Sequence, residues 1–190
     1  MNKLNNSSSF ILNKLKTPRL TFRKIKPNDS DQWMEFFNSL EALRFLPFKQ
    51  HSRKACIEWL ERQELRYKET NSGLCALIEK RSRELVGQCG LLLQEINNRE
   101  EIEIGYHLIP RFWKQGYATE AAVAAKNFAF NNNLSESLIS IIHIENVDSQ
   151  NVAKRNGMKR DRKMEWRGFP VYIYRINKEE WMKEQLLVNK

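Results

Sequence analysis

Glu103-Ile104-Gly105-Tyr106-His107-Leu108-Ile109-Pro110-Arg111-Phe112-Trp113-Lys114-Gln115-Gly116-Tyr117-Ala118-Thr119-Glu120-Ala121 is the stretch on which the fold turns. It reads as a strand, a short turn and an Ala-rich helix whose start carries Gly116 and Ala118. Small residues at a helix start let backbone N–H groups approach a bound anion unobstructed. The helix macrodipole adds roughly half a positive charge there, contributing about 0.3–1 kcal/mol at an exposed site. That is the chemistry of a pyrophosphate cradle, formed by Gln115, Gly116, Tyr117, Ala118 and Thr119. From the glycine and alanine alone, a tight strand-to-helix joint of any α/β protein reads equally well.

Outside this stretch the composition sets bounds. The 190 residues suit one domain with a substantial core. With 41% hydrophobic and 29% charged residues the chain has the balance of a folded globular protein. The net charge of +9 favours a polyanionic ligand and would also suit an RNA-rich neighbourhood. The basic residues are spread along the chain, however, and no nucleic-acid motif accompanies them, so direct nucleic-acid binding is not expected. Cys56, Cys75 and Cys89 are odd in number and lack metal-ligand spacing, which implies reduced thiols, a cytoplasmic location and no metal site. The first fifteen residues lack the apolar run of a secretory signal, and no segment is apolar enough to span a bilayer, so no membrane partner is expected.

Hydrophobic periodicity orders the rest. A first strand is expected over 19–25, a helix over 31–39, and a second helix over 52–68 with Ile57, Leu60 and Glu64/Leu65 at helical spacing. Strands follow over 74–79, 84–93 and 101–109, then a helix over 116–130. The β-branched run 138–144 reads as a central buried strand. A short helix over 147–156 stops at Gly157, two strands over 159–166 and 171–176 flank a turn at Arg167-Gly168, and a last helix starts near Asn177. Residues 1–14 are expected to be a mobile extension, 15–186 one domain and 187–190 a tail.

The quoted stretch resembles the acyl-CoA signature of the GNAT acetyltransferases, and most closely the Glu-Ile-Gly-Tyr … Trp-Gly-x-Gly-Tyr-Ala-Thr-Glu-Ala version of the ribosomal-protein (RimJ/RimL, or Rim-type) N-acetyltransferases. Thr17-Pro18-Arg19-Leu20 is similar to the Thr-x-Arg-Leu opening of that group, and the likeness extends to about Trp181. The resemblance implies an α/β (α+β) GNAT fold. Its central sheet is mixed, mostly antiparallel, splayed at the CoA site and flanked by helices. It also implies acetyl-CoA as cosubstrate, no metal, and a monomer or homodimer.

The resemblance further assigns roles. The backbone at Leu108 would pair with pantetheine if a bulge splays the strand. Trp113 is a second candidate packing anchor. Lys114 replaces the customary glycine and fits only if its φ is negative, its ammonium then reaching a CoA phosphate. The segment from Glu145 to Met158 matches the family's asparagine-containing segment, placing Asn146 by pantetheine and Asn151 near the pyrophosphate. Glu101, Glu103 and His107 share a strand face by alternation. Glu103 matches the family's base, His107 is the weaker candidate, and Glu101 reads as part of a solvated acidic run. Ala153 stands where many relatives carry an acid tyrosine, so Ser149 takes that role by likeness to the Rim-type group. Tyr172 and Tyr174 read as core residues.

An α-amine with a pKa near 7.8 is easier to deprotonate than a lysine near 10.4, a gap of about 3.5 kcal/mol. A single carboxylate base therefore suits a protein N-terminal α-amine, and the resemblance implies that of a ribosomal protein. A small amine (polyamine, amino acid or antibiotic) is the alternative acceptor, and a non-catalytic CoA-binding protein the alternative class. The acceptor groove is expected at residues 44–48 and 166–170, where Pro170 replaces an aspartate common in the family.

Overall fold

The computed structural model describes residues 9–46 and 52–188. Seven strands form one sheet: β1 (Leu20–Arg23), β2 (Gly73–Glu79), β3 (Leu85–Ile96), β4 (Arg99–Leu108), β5 (Ser137–His143), β6 (Lys159–Trp166) and β7 (Phe169–Asn177). Their order is β1-β2-β3-β4-β5-β7-β6. Every neighbouring pair is antiparallel except β4 and β5, which run parallel. The mixed, mostly antiparallel sheet expected from the sequence is therefore present.

Helices α1 (Ser30–Phe37), α2 (Leu40–Leu43) and α3 (Arg53–Glu69) connect β1 to β2. Ser52 caps α3 by accepting the Ala55 N–H at 3.1 Å. The buried stripe of α3 is Cys56, Trp59, Leu60, Gln63 and Tyr67, at helical spacing. Of the residues singled out at helical spacing, Leu60 is buried, whereas Ile57 and Leu65 are exposed. Two asparagines, Asn97 (φ 52) and Asn98 (φ 59), form the two-residue turn that closes β3 onto β4. Asparagine tolerates the left-handed backbone that such a turn needs, which lets the hairpin run three residues past the expected end.

Helix α4 (Tyr117–Asn131) packs on β3 and β4 through Ala121, Ala122, Ala125 and Ala129, all fully buried. Small side chains let the helix lie close to the sheet. Helix α5 (Val147–Arg155) packs against α4 and β5, and α6 (Lys178–Val188) follows β7. Gly157, with φ 79, ends α5 as the sequence suggested.

The packed unit begins earlier than residue 15. Phe10, Ile11 and Leu12 lie in the main core, and the Phe10 N–H donates to the Asn71 carbonyl at 2.9 Å. Residues 1–8, 47–51 and 189–190, including part of the expected acceptor groove and tail, lie outside the described residues. Cys56, Cys75 and Cys89 are buried free thiols, and burial pushes Cys56 up to about 11 and Cys75 up to about 12. Among the described residues no helix is long and apolar enough to cross a membrane.

One irregularity positions the site. The β3–β4 ladder is continuous from Gly87–Leu108 to Ile96–Arg99, whereas β4 and β5 pair only at Glu103 and Ile139. The Ser140 hydroxyl donates to the Ile104 carbonyl at 2.9 Å, and beyond it the two strands part. The splay arises on the β5 side, with no bulge in β4.

Candidate active site

The cradle is a helix start with open donors. The first bond of α4 runs from the Glu120 N–H to the Gly116 carbonyl at 3.0 Å, so the amides of Tyr117, Ala118 and Thr119 have no acceptor within the helix. Gly116 stands before them with φ 83, a backbone region where L side chains are strained. The opening segment clamps this turn. Glu120 accepts from the Thr17 hydroxyl at 2.5 Å, the Arg19 N–H at 2.9 Å and the Arg19 Nε at 2.6 Å. Arg19 also donates to the Gln115 carbonyl at 2.9 Å and lies 4.2 Å over the Tyr117 ring. Arg155 of α5 reaches the same place, donating to the Thr119 hydroxyl at 3.2 Å.

Along β4, the Ile109 N–H bonds the Val86 carbonyl at 3.0 Å. Alternation then turns the backbone groups of Leu108 and Tyr106 away from β3, toward the opening. The Leu108 carbonyl is taken by the Trp113 indole at 2.8 Å, which makes Trp113 a brace of this edge. The Leu108 N–H and both groups of Tyr106 remain on that side for an extended, amide-bearing ligand.

The opening leads into a cleft of about 250 Å³ lined by α3, β4, β5 and the β6–β7 turn. Glu103 lies in it, 9% exposed, accepting from the Gln94 amide at 2.6 Å. Burial pushes its carboxyl above the usual carboxylate range, and the Gln94 bond, Arg66, the Ile141 amide and Arg167 only partly oppose this. His107 also lines the cleft, held between the Phe36 and Trp59 rings. Burial and then Arg66 push it down to about 4, so it is neutral at pH 7.

Residues 19–159 match the family described as "Acetyltransferase (GNAT) domain". The chain belongs to the GNAT acetyltransferase family. The uncharacterized protein YkkB of Bacillus subtilis (strain 168) is 32% identical over 167 residues, covering 85% of this chain and 94% of the relative. The uncharacterized N-acetyltransferase p20 of Bacillus licheniformis is 26% identical, covering 88% and 97%. Three solved structures share the fold. A GNAT-family acetyltransferase from Bacillus anthracis has a TM-score of 0.73 at 22% identity, covering 87% of this chain and 98% of that one. The RimL ribosomal L7/L12 α-N-protein acetyltransferase in complex with coenzyme A gives 0.70 at 17%, covering 85% and 95%. The microcin C7 self-immunity acetyltransferase MccE, in complex with acetyl-CoA and AMP, gives 0.72 at 14%, covering 86% and 98%.

This GNAT enzyme thus carries N-acetyltransferase chemistry, with a helix start and an open strand edge that fit acetyl-CoA. Asn146 lines the cleft at the start of α5. Its side-chain oxygen accepts the Ser149 N–H at 3.1 Å, which leaves its NH₂ group for a ligand. Ser149 lines the cleft too, and its carbonyl accepts the Tyr106 hydroxyl at 3.0 Å. Asn151 does not line the cleft. It stands one helical turn before Arg155, on the side of α5 that meets Thr119. Ala153 is buried in the core, and Tyr174 is buried as expected, with its hydroxyl on Gln150 at 3.2 Å. Glu101 is corrected: it forms a two-pronged ion pair with Arg175, at 3.0 and 2.7 Å, rather than a solvated charge. Among the described residues no group of three or more His, Cys, Asp or Glu side chains is arranged to hold a metal ion.

Lys114 has φ 59, so the condition set by the sequence for a comfortable lysine is not met. A left-handed L-residue costs about 1–2 kcal/mol, while glycine gives back part of that through unfolded-chain entropy. Lys114→Gly is therefore expected to raise stability by up to about 1 kcal/mol, measured as a higher urea midpoint. A lower midpoint would mean that the lysine makes a stabilising contact exceeding its backbone strain.

Proposed function

We propose that this enzyme transfers the acetyl group of acetyl-CoA to an α-amine in a ternary complex, with a peptide or protein N-terminus as acceptor. The observation that carries this reading is Glu103, a buried carboxylate with a raised pKa at the mouth of the strand opening. Residues 115–119 hold the pyrophosphate, the Asn151–Arg155 face stands beside it, and Leu108, Tyr106 and Asn146 hold the pantetheine arm. The acetyl group then lies beside Glu103. Glu103 takes a proton from the ammonium, directly or through water, and the neutral nitrogen attacks the thioester carbonyl. The carbon–nitrogen bond forms, the carbon–sulfur bond breaks, and the thiolate leaves. Ser149 and the Tyr106 hydroxyl are the nearest side-chain proton sources to that leaving sulfur in this reading.

A base tuned upward by burial matches an α-amine near 7.8 better than a lysine near 10.4. The RimL protein, which shares this fold, is described as acting on an α-amine of a ribosomal protein. A second reading, a small-molecule acceptor, narrows to amino-acid-like amines. The cleft holds Arg62, Arg66 and Arg167, which repel polyamines and aminoglycosides.

The test is acetyl-CoA turnover, followed by thiol release, against N-terminal peptides, N-blocked lysine peptides, amino acids, polyamines and aminoglycosides. Turnover is expected on acceptors with a free α-amine. Turnover confined to polyamines, aminoglycosides or lysine side chains would sink the proposal.

A further inference from the structure

The cleft around Glu103 carries an excess of positive side chains. Arg62, Arg66 and Arg167 line it, and Glu103 is the one carboxylate among the described lining residues. Arg66, on α3, is half-buried, and it donates a long hydrogen bond to the Gln63 side-chain oxygen at 3.4 Å. Burial lowers its guanidinium from the ordinary value, with Arg167 and Arg62 acting in the same direction and Glu103 opposing. Arg167 occupies the first place of the two-residue β6–β7 turn, with φ 51, and lies 4.3 Å over the Trp166 ring. Among the described residues neither Arg66 nor Arg167 has a carboxylate within ion-pair distance.

These arginines are not placed to serve the CoA phosphates. None of residues 115–119 lines this cleft, and Leu108 lies five residues along β4 from Glu103, about 17 Å at strand rise. The charge therefore belongs to the acceptor side.

We infer that the acceptor carries an anionic group close to its reactive amine, held by Arg66 and Arg167 while Glu103 faces the nitrogen. Guanidinium groups suit carboxylate and phosphate oxygens, because their donors lie in one plane at matching spacing. The inference rests on the acetyltransferase reading of this cleft and names its substrate class.

The experiment uses acceptor pairs that differ by one charge: an N-terminal Ser-Asp against a Ser-Asn peptide, a free amino acid against its amide, and O-phosphoserine against serine. The anionic member of at least one pair is expected to have the higher kcat/KM, by about 10- to 100-fold. The winning pair tells an acidic side chain, an α-carboxylate and a phosphate apart. Arg66→Met and Arg167→Met should each bring that ratio toward one, and the double variant to Glu should reverse it. Any shift in the Glu103 pKa affects both members of a pair and cancels in the ratio. Calorimetric binding of the matching N-acetylated products, with CoA present, reads the anion site without turnover. Wild-type ratios near one in every pair, or ratios that survive both arginine variants, would overturn the inference while leaving the acetyltransferase reading intact. Charge-selective product binding without turnover on any amine would do the reverse.

Discussion

Glu103→Gln is expected to lower kcat/KM for the acceptor by about 10²–10⁴-fold and, at neutral pH, to make the protein more stable. The activity loss follows from removing the only carboxylate that lines the cleft among the described residues. The stability gain follows from the direction of the pKa shift. Unfolded, the carboxyl ionises near 4.3, whereas burial keeps it protonated to higher pH in the folded protein. Between those two values the native state binds more protons than the unfolded state, so stability falls as pH rises through the window. Below the unfolded value the difference vanishes. Glutamine loses nothing across that range, so its advantage should be absent below the unfolded value and grow as pH rises through the window. The Gln94 amide, Arg66, Arg167, the Ile141 amide and neutral His107 are the neighbours that set where the window ends. Thermal melts across pH, paired with steady-state rates, check both halves. Unchanged rates with raised stability would remove Glu103 from the chemistry and leave it a buried structural acid.

Gly116→Trp should raise the KM for acetyl-CoA by 100-fold or more, about 2.7 kcal/mol. Two causes act together. The backbone at φ 83 strains any L side chain by about 1–2 kcal/mol, and the indole would occupy the space a phosphate needs above the Tyr117, Ala118 and Thr119 amides. Hydrogen bonds to charged groups are worth about 1.5–3 kcal/mol each, so losing two already exceeds the stated effect. Space within the protein is not the obstacle. Among the described residues a Cβ at this position meets only the Arg19 Nη2, at 3.4 Å. Circular dichroism with unchanged signal, beside the raised KM, would separate blocked binding from unfolding. A KM within a few-fold of wild type would show that the phosphates lie elsewhere.

The order of elements was legible because nearly every one carries its own signal. Gly116 before an alanine run, Gly157 after α5, and the alternating strands each speak locally. The expected strand and helix limits mostly agree with those observed to within one or two residues. What escaped the sequence is what depends on neighbours distant along the chain. Glu120 gave no sign that it would bind Thr17 and Arg19, a hundred residues away. Glu101 looked like one of three neighbouring glutamates until Arg175 arrived from β7. The arginine cleft was hidden because the apolar residues of α3 do not all share its buried face: Ile57 and Leu65 are exposed, while Gln63, a polar residue, lies on the inner side. Lys114 shows the converse: the likeness flagged the position, and only the backbone angle revealed that the lysine sits where glycine is at ease.

The single rung between β4 and β5 leaves the sheet as two panels, β1–β4 and β5–β7, bridged along this seam by one strand pairing, the Ser140 hydroxyl and the Ile141 amide on the Glu103 carboxylate. The seam has exposed backbone donors and acceptors on its β4 side and no partner strand to meet them. An extended pantetheine arm laid in the gap would act as a borrowed strand and complete the sheet with atoms the chain does not encode. The donor substrate is then also a structural member, and at a hundred times its Kd it adds about 2.7 kcal/mol to the folded state. Acetyl transfer ends with that member departing as coenzyme A, so each turnover reopens the seam.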